Sequence, residues 1–100
     1  PVQVKLLPVT DRAMDYAKNV AAQLDSQGFR VEVDGRNEKI GKKIREATLE
    51  KIPFMLVVGD RDMENGTVSV RTRKGEDLGA MTLEDFSAKL RRIVDEKQKI

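Results

Sequence analysis

Phe54-Met55-Leu56-Val57-Val58 is an unbroken apolar run closed by Pro53 and Gly59. Five apolar residues between two breakers read as a strand buried on both faces. Such a strand needs an apolar layer above it and another below it. No other segment constrains the chain so strongly, because it calls for a central strand covered on both faces.

The flanking patterns supply those layers. Residues 2–7 alternate and then turn apolar, which predicts a strand that deepens towards its end. Thr10 and Asp11 suit a helix start. Met14, Ala17, Val20, Ala21 and Leu24 recur at helical spacing up to Gln27, and Gly28 suits a left-handed stop. Phe29 to Asp34 alternates strictly, with Arg30, Glu32 and Asp34 on its polar side, as in a half-exposed edge strand. A second helix is expected over Glu38 to Lys51, with Ile40, Ile44, Ala47 and Thr48 inward. Gly41 inside it costs about 1 kcal/mol of helix propensity relative to Ala and hints at close approach or a packing constraint.

After the apolar run, Asp60 to Gly66 reads as a polar loop with an Asn65-Gly66 turn. Thr67 to Arg73 alternates with Val68 and Val70 inward. A short strand follows near Asp77 to Met81. Thr82 and Asp85 cap a last helix carrying Leu83, Phe86, Leu90, Ile93 and Val94, and residues 97–100 are expected to fray. The predicted architecture is an α/β, three-layer, mixed five-stranded sheet with three helices, in the order β-α-β-α-β-β-β-α. Residues 1–100 form a single domain in this reading. Pro1 directly before a strand is compatible with an excised domain or with loss of an initiator Met.

Composition then removes whole classes of chemistry. Cys and His are both absent. Disulfides, thiolate nucleophiles, Cys- or His-based metal sites and Ser/His or Cys/His catalysis are excluded. No metal or cofactor is expected. Lys plus Arg total 19 and Asp plus Glu total 17, a net charge of only +2. That balance cannot drive strong indiscriminate nucleic-acid binding, yet a few placed cations can bind selectively. No apolar run reaches the roughly 20 residues of a membrane helix, and no leader peptide is read, so the expected location is cytoplasmic.

Neither a dinucleotide nor a phosphate-loop glycine motif occurs. A phospho-acceptor reading built on Asp11 and Asp60 lacks the later parallel strands it needs. The pairs Asp60/Asp62 and Asp62/Glu64 have no nucleophile or ligand beside them and fit polar turn residues. Lys39, Lys42 and Arg45 are spaced three apart and form a cationic stripe on the second helix. Arg71, Arg73 and Lys74 form a second basic group. Each is a solvated face or an edge defence unless both turn the same way, in which case they can cradle phosphates and bases. The three Phe residues sit in apolar positions, so base stacking would fall to Arg rather than to exposed aromatics.

Arg36-Asn37-Glu38-Lys39-Ile40-Gly41, then Lys43-Ile44-Arg45-Glu46, then Pro53 to Asp60, Gly66 to Arg71 and Asp77-Leu78-Gly79 together resemble the C-terminal anticodon-binding domain of threonyl-tRNA synthetase. The resemblance runs from Val2 to about Ile93. It implies a class II synthetase anticodon-binding fold and a tRNA-binding role at the anticodon loop of threonine tRNA. Aminoacylation would belong to a separate catalytic domain of the parent synthetase, the other implied partner. The family's anticodon contacts carry over to Asn37, Arg45, Asp62 and Arg71. Arg36, Lys39 and Lys42 complete the basic set. Asp62 stands where Glu is usual and reaches one methylene less, with Glu64 as a nearby substitute. A non-catalytic protein-interaction domain, or an engineered structural domain on the same fold, is the alternative.

Overall fold

The computed structural model describes residues 2–98, so the fraying expected at Lys99 and Ile100 lies outside it. The central run is strand β3, Phe54–Val58. It pairs in parallel with β1, Val4–Pro8, with Leu6 opposite Leu56. On its far side β1 pairs in parallel with the short edge strand β2, Val31–Val33. Two antiparallel strands extend the other side: β4, Thr67–Thr72, and β5, Asp77–Thr82. The order across the sheet is β2-β1-β3-β4-β5. This is the predicted mixed five-stranded sheet.

Both faces of β3 are covered, as its composition requires. On one side Leu6, Leu56, Val58, Val68 and Val70 pack with Ala17, Val20 and Leu24 of α1, Met14–Ser26, and with Phe86 and Leu90 of α4, Leu83–Gln98. Phe54 and Phe86 meet edge to face at 5.6 Å, a pairing worth about 0.5–1.5 kcal/mol beyond its burial. On the other side Leu7 and Met55 pack against Ala47 of α2, Ile40–Leu49, and Ile52 behind it. Gly28 adopts φ +92°, ending α1 as expected. Thr82 Oγ1 accepts from the Asp85 N–H at 3.1 Å, as the predicted cap requires.

Four expectations need correction. Asp60 to Gly66 is not a loop: Asp60–Asn65 forms a fourth helix, α3. Gly66, at φ +66°, is its left-handed stop rather than a hairpin turn. The Asp62 carboxylate accepts from the Gly59 N–H at 3.2 Å, and two acids in the first turn favour the positive helix end. Six residues are too few for periodicity to reveal such a helix. Second, α2 is shorter than expected, because Lys39 is extended and Lys51 turns to φ +63°. Third, Thr48 is exposed, and Lys43 takes the inward place beside Ala47. Fourth, Asp34 is buried rather than on a wet face. The helical span of α4 runs through Gln98.

Candidate nucleic-acid interface

The chain leaves β2 at Val33 and enters α2 at Ile40 through a polar loop, residues 34–39. Two cations anchor that loop. Lys43, 3% exposed, donates to the Asp34 carbonyl at 3.1 Å and to the Pro8 carbonyl at 3.2 Å. Its ammonium thereby ties the ends of β1 and β2 to α2. Arg36 donates through Nε and Nη2 to the Asp34 carboxylate at 2.9 and 2.8 Å. It also donates through Nη1 and Nη2 to Glu46 at 3.3 and 3.2 Å. These bonds hold the Asp34 carboxyl down at about 2, with desolvation opposing them and the positive charges of Arg36 and Lys43 assisting. The same arginine lowers Glu46.

Arg36 was expected to face RNA. Its fork is instead engaged by two carboxylates of the same chain, so it serves as a cross-link between the loop and α2. Asn37, next in sequence, is exposed on the loop that these bonds brace. It lines a cleft of about 260 Å³ with Thr10, Asp11, Arg36 and Glu38, at the C-terminal ends of β1 and β2. Open α/β sheets commonly hold ligands beyond those ends.

Helix α2 has two unlike flanks. Glu50 reaches Lys5 of β1 at 3.0 Å, and Glu46 reaches Arg36, so this flank faces the β2 edge. Thr48 lies about 160° around the axis from Glu50 and touches Met55 Sδ of β3 at 3.9 Å. Gly41 and Thr48 are two turns apart on that second flank, and Arg45 lies beside them. The second flank therefore looks over β3 towards β4. Lys42 is outward and pairs with Glu38 at 3.4 Å, while Lys39 precedes the helix and is exposed. Among the described residues Arg45 has no ion-pair partner.

On β4, Val68 and Val70 enter the core shared with α1 and α4. Alternation turns Thr67, Ser69 and Arg71 to the opposite side, the side of α2. Arg71 pairs with Met55 in register, the residue Thr48 touches. It is half-buried and lies 3.8 Å from Asp77, a loose surface pair of little energetic weight. Arg45 of one basic group and Arg71 of the other thus lie on the same side of the sheet. Ser69 and the exposed Ala80, paired across β4 and β5, continue that side.

Asp62 closes one end of it. It is 7% exposed, and its carboxylate accepts from Thr67 Oγ1 at 2.9 Å as well as from Gly59 N–H. Ser69 Oγ makes longer bonds to its two oxygens, at 3.3 and 3.4 Å. Asp62 is therefore first a clamp between α3 and β4. Glu64 is exposed but lies about 160° around α3 from Asp62. It does not share the Asp62 side, so it is not positioned as a substitute.

Lys43 and Asp34 are the residues that pattern reading missed. Lys43 sits three after Ile40 and four before Ala47, in the middle of the apolar stripe. That position was the available signal.

A family model described as an anticodon binding domain matches residues 3–93. The chain is 56% identical over 97 residues to a threonine–tRNA ligase of Marinobacter nauticus, which covers 97% of the chain and 15% of that protein. It is 55% identical over 98 residues to the threonine–tRNA ligase of Acetivibrio thermocellus, covering 98% of the chain and again 15% of the relative. The crystal structure of the RNA binding domain of threonyl-tRNA synthetase from Cryptosporidium parvum superposes with a TM-score of 0.87 at 31% identity, covering 92% of this chain and 23% of that one. The chain thus spans only about 15% of the length of these curated relatives. With that model matching residues 3–93 and these relatives more than half identical across nearly the whole chain, the chain belongs to the anticodon-binding domain family.

Proposed function

We propose that the chain is the anticodon-loop-binding domain of a threonyl-tRNA synthetase, reading threonine tRNA while a catalytic domain outside these 100 residues forms the aminoacyl bond. By itself it binds and does not catalyse, and it works in the cytoplasm. The observation that carries the reading is that Arg45 of α2 and Arg71 of β4 lie on the same side of the sheet, with the loop that carries Asn37 leading into α2.

Anticodon bases are unpaired and expose their Watson–Crick edges. Asn37 both donates and accepts, which suits the edge of uracil. Arg71 suits guanine O6 and N7 or a phosphate, and Arg45 suits phosphate neutralisation or stacking. Lys39 and Lys42 add charge at the start of α2. Guanine N1–H and N2–H₂ need a carboxylate, and Asp62 is the acid that the family resemblance assigns to this role, on a side that also carries the exposed Asp77 opposite Arg71. Its long bonds to Ser69 are the ones a base displaces, while the shorter Thr67 bond stays.

Titration of threonine-tRNA anticodon stem-loops, with the guanine or the uracil replaced in turn, tests the reading. Each replacement is expected to weaken binding by about tenfold, the scale of one lost base contact. Equal binding to every loop would remove base reading.

A further inference from the structure

Gly41 stands apart from the other glycines. Four of the seven have positive φ, Gly35 lies 3.0 Å from Met14 where its Cβ would be, and Gly59 caps α3. Gly41 is helical, and a Cβ placed on it meets nothing within 4 Å. Neither the backbone nor a neighbour within the described residues asks for glycine there, although alanine favours the helix. The empty space lies on the α2 flank that carries Arg45 and Thr48 and overlooks β4, one turn from Arg45 and just after the Asn37 loop.

We propose that Gly41 is a close-approach position for RNA, where a nucleotide of the bound loop packs its ribose or base directly on the α2 backbone between Asn37 and Arg45. The inference rests on the anticodon-loop reading and adds a contact surface to it. Asn37 lies four residues before Gly41 and Arg45 one helical turn after it, both exposed, so a side chain at Gly41 would stand between them and hold a nucleotide away from both. Absence of the Cβ thus becomes a determinant of affinity, in a place where it contributes nothing to the fold.

The test compares the unaltered chain with Gly41→Ala and Gly41→Val, measuring thermal unfolding and binding to the threonine-tRNA anticodon stem-loop. Gly41→Ala is expected to unfold at or above the temperature of the unaltered chain while binding at least about fivefold more weakly, and Gly41→Val to bind more weakly again. Undiminished binding by Gly41→Ala overturns the close approach and leaves the anticodon reading standing. Weaker binding together with a lower unfolding temperature assigns the loss to the fold and overturns it too. Failure of the unaltered chain to bind overturns the anticodon reading itself.

Discussion

The Lys43 ammonium donates to the Asp34 carbonyl at 3.1 Å from within the buried stripe of α2, so a core position of the helix sets the start of the Asn37 loop. Lys43→Met keeps the length and volume of the side chain but leaves the Pro8 and Asp34 carbonyls without this donor. Two such losses cost about 1–3 kcal/mol, readable as a lower urea midpoint. The same variant is expected to lose preference for the uracil-containing loop, because Asn37 is no longer held.

Asp34 gives stability an acid limb. Its folded carboxyl is lowered from 3.8 to about 2, so its contribution is complete above the unfolded value and disappears as pH falls through the folded one. Unfolding free energy is expected to drop by about 2 kcal/mol between pH 5 and pH 2 from this group. Asp34→Asn flattens that limb and lowers stability at pH 7. Denaturation followed across pH checks both.

Arg36 and Arg45, from two blocks of the same resemblance, take opposite assignments. Arg45→Gln is expected to reduce the slope of log affinity against log salt by about 0.7, as for one released counterion on a single strand. Arg36→Gln is expected to leave the slope unchanged and to lower stability, since its bonds go to Asp34 and Glu46. Salt-series titrations beside melting curves separate the two.

Asp62 carries both a clamp and a proposed base contact, and Ser69 distinguishes them. Asp62→Asn puts a donor where guanine needs an acceptor, so preference for guanine over adenine at the read position is expected to fall towards one. Ser69→Ala removes only the long bonds at 3.3 and 3.4 Å and should cost less than about 1 kcal/mol while keeping the preference. Paired titrations with guanine and adenine loops decide this.

Much of the molecule is visible in its pattern. The Phe54–Val58 run places the central strand, the alternation at Thr67 to Arg71 assigns Val68 and Val70 inward and Arg71 outward, and the spacing of Ile40, Ile44 and Ala47 orients α2. The Arg36 to Arg45 block carries the family resemblance. Helix α3 stayed hidden because its stability comes from the Asp62–Gly59 bond and packing on β4, both beyond the reach of periodicity.

By itself, then, the sequence determines the order of the five strands and of the three longer helices, the two-sided core and the absence of thiol or imidazole chemistry, because those follow from periodicity and composition. Tertiary structure decides which charges are spent and which stay free. Arg36 pairs with Glu46, Lys43 lies among carbonyls of β1 and the β2 loop, and Arg45 stays exposed without an ion pair among the described residues. Apolar spacing records which residues leave water, but a charged tip finds its partner across elements far apart in the chain, and only the packed sheet and helices bring those partners within a hydrogen bond.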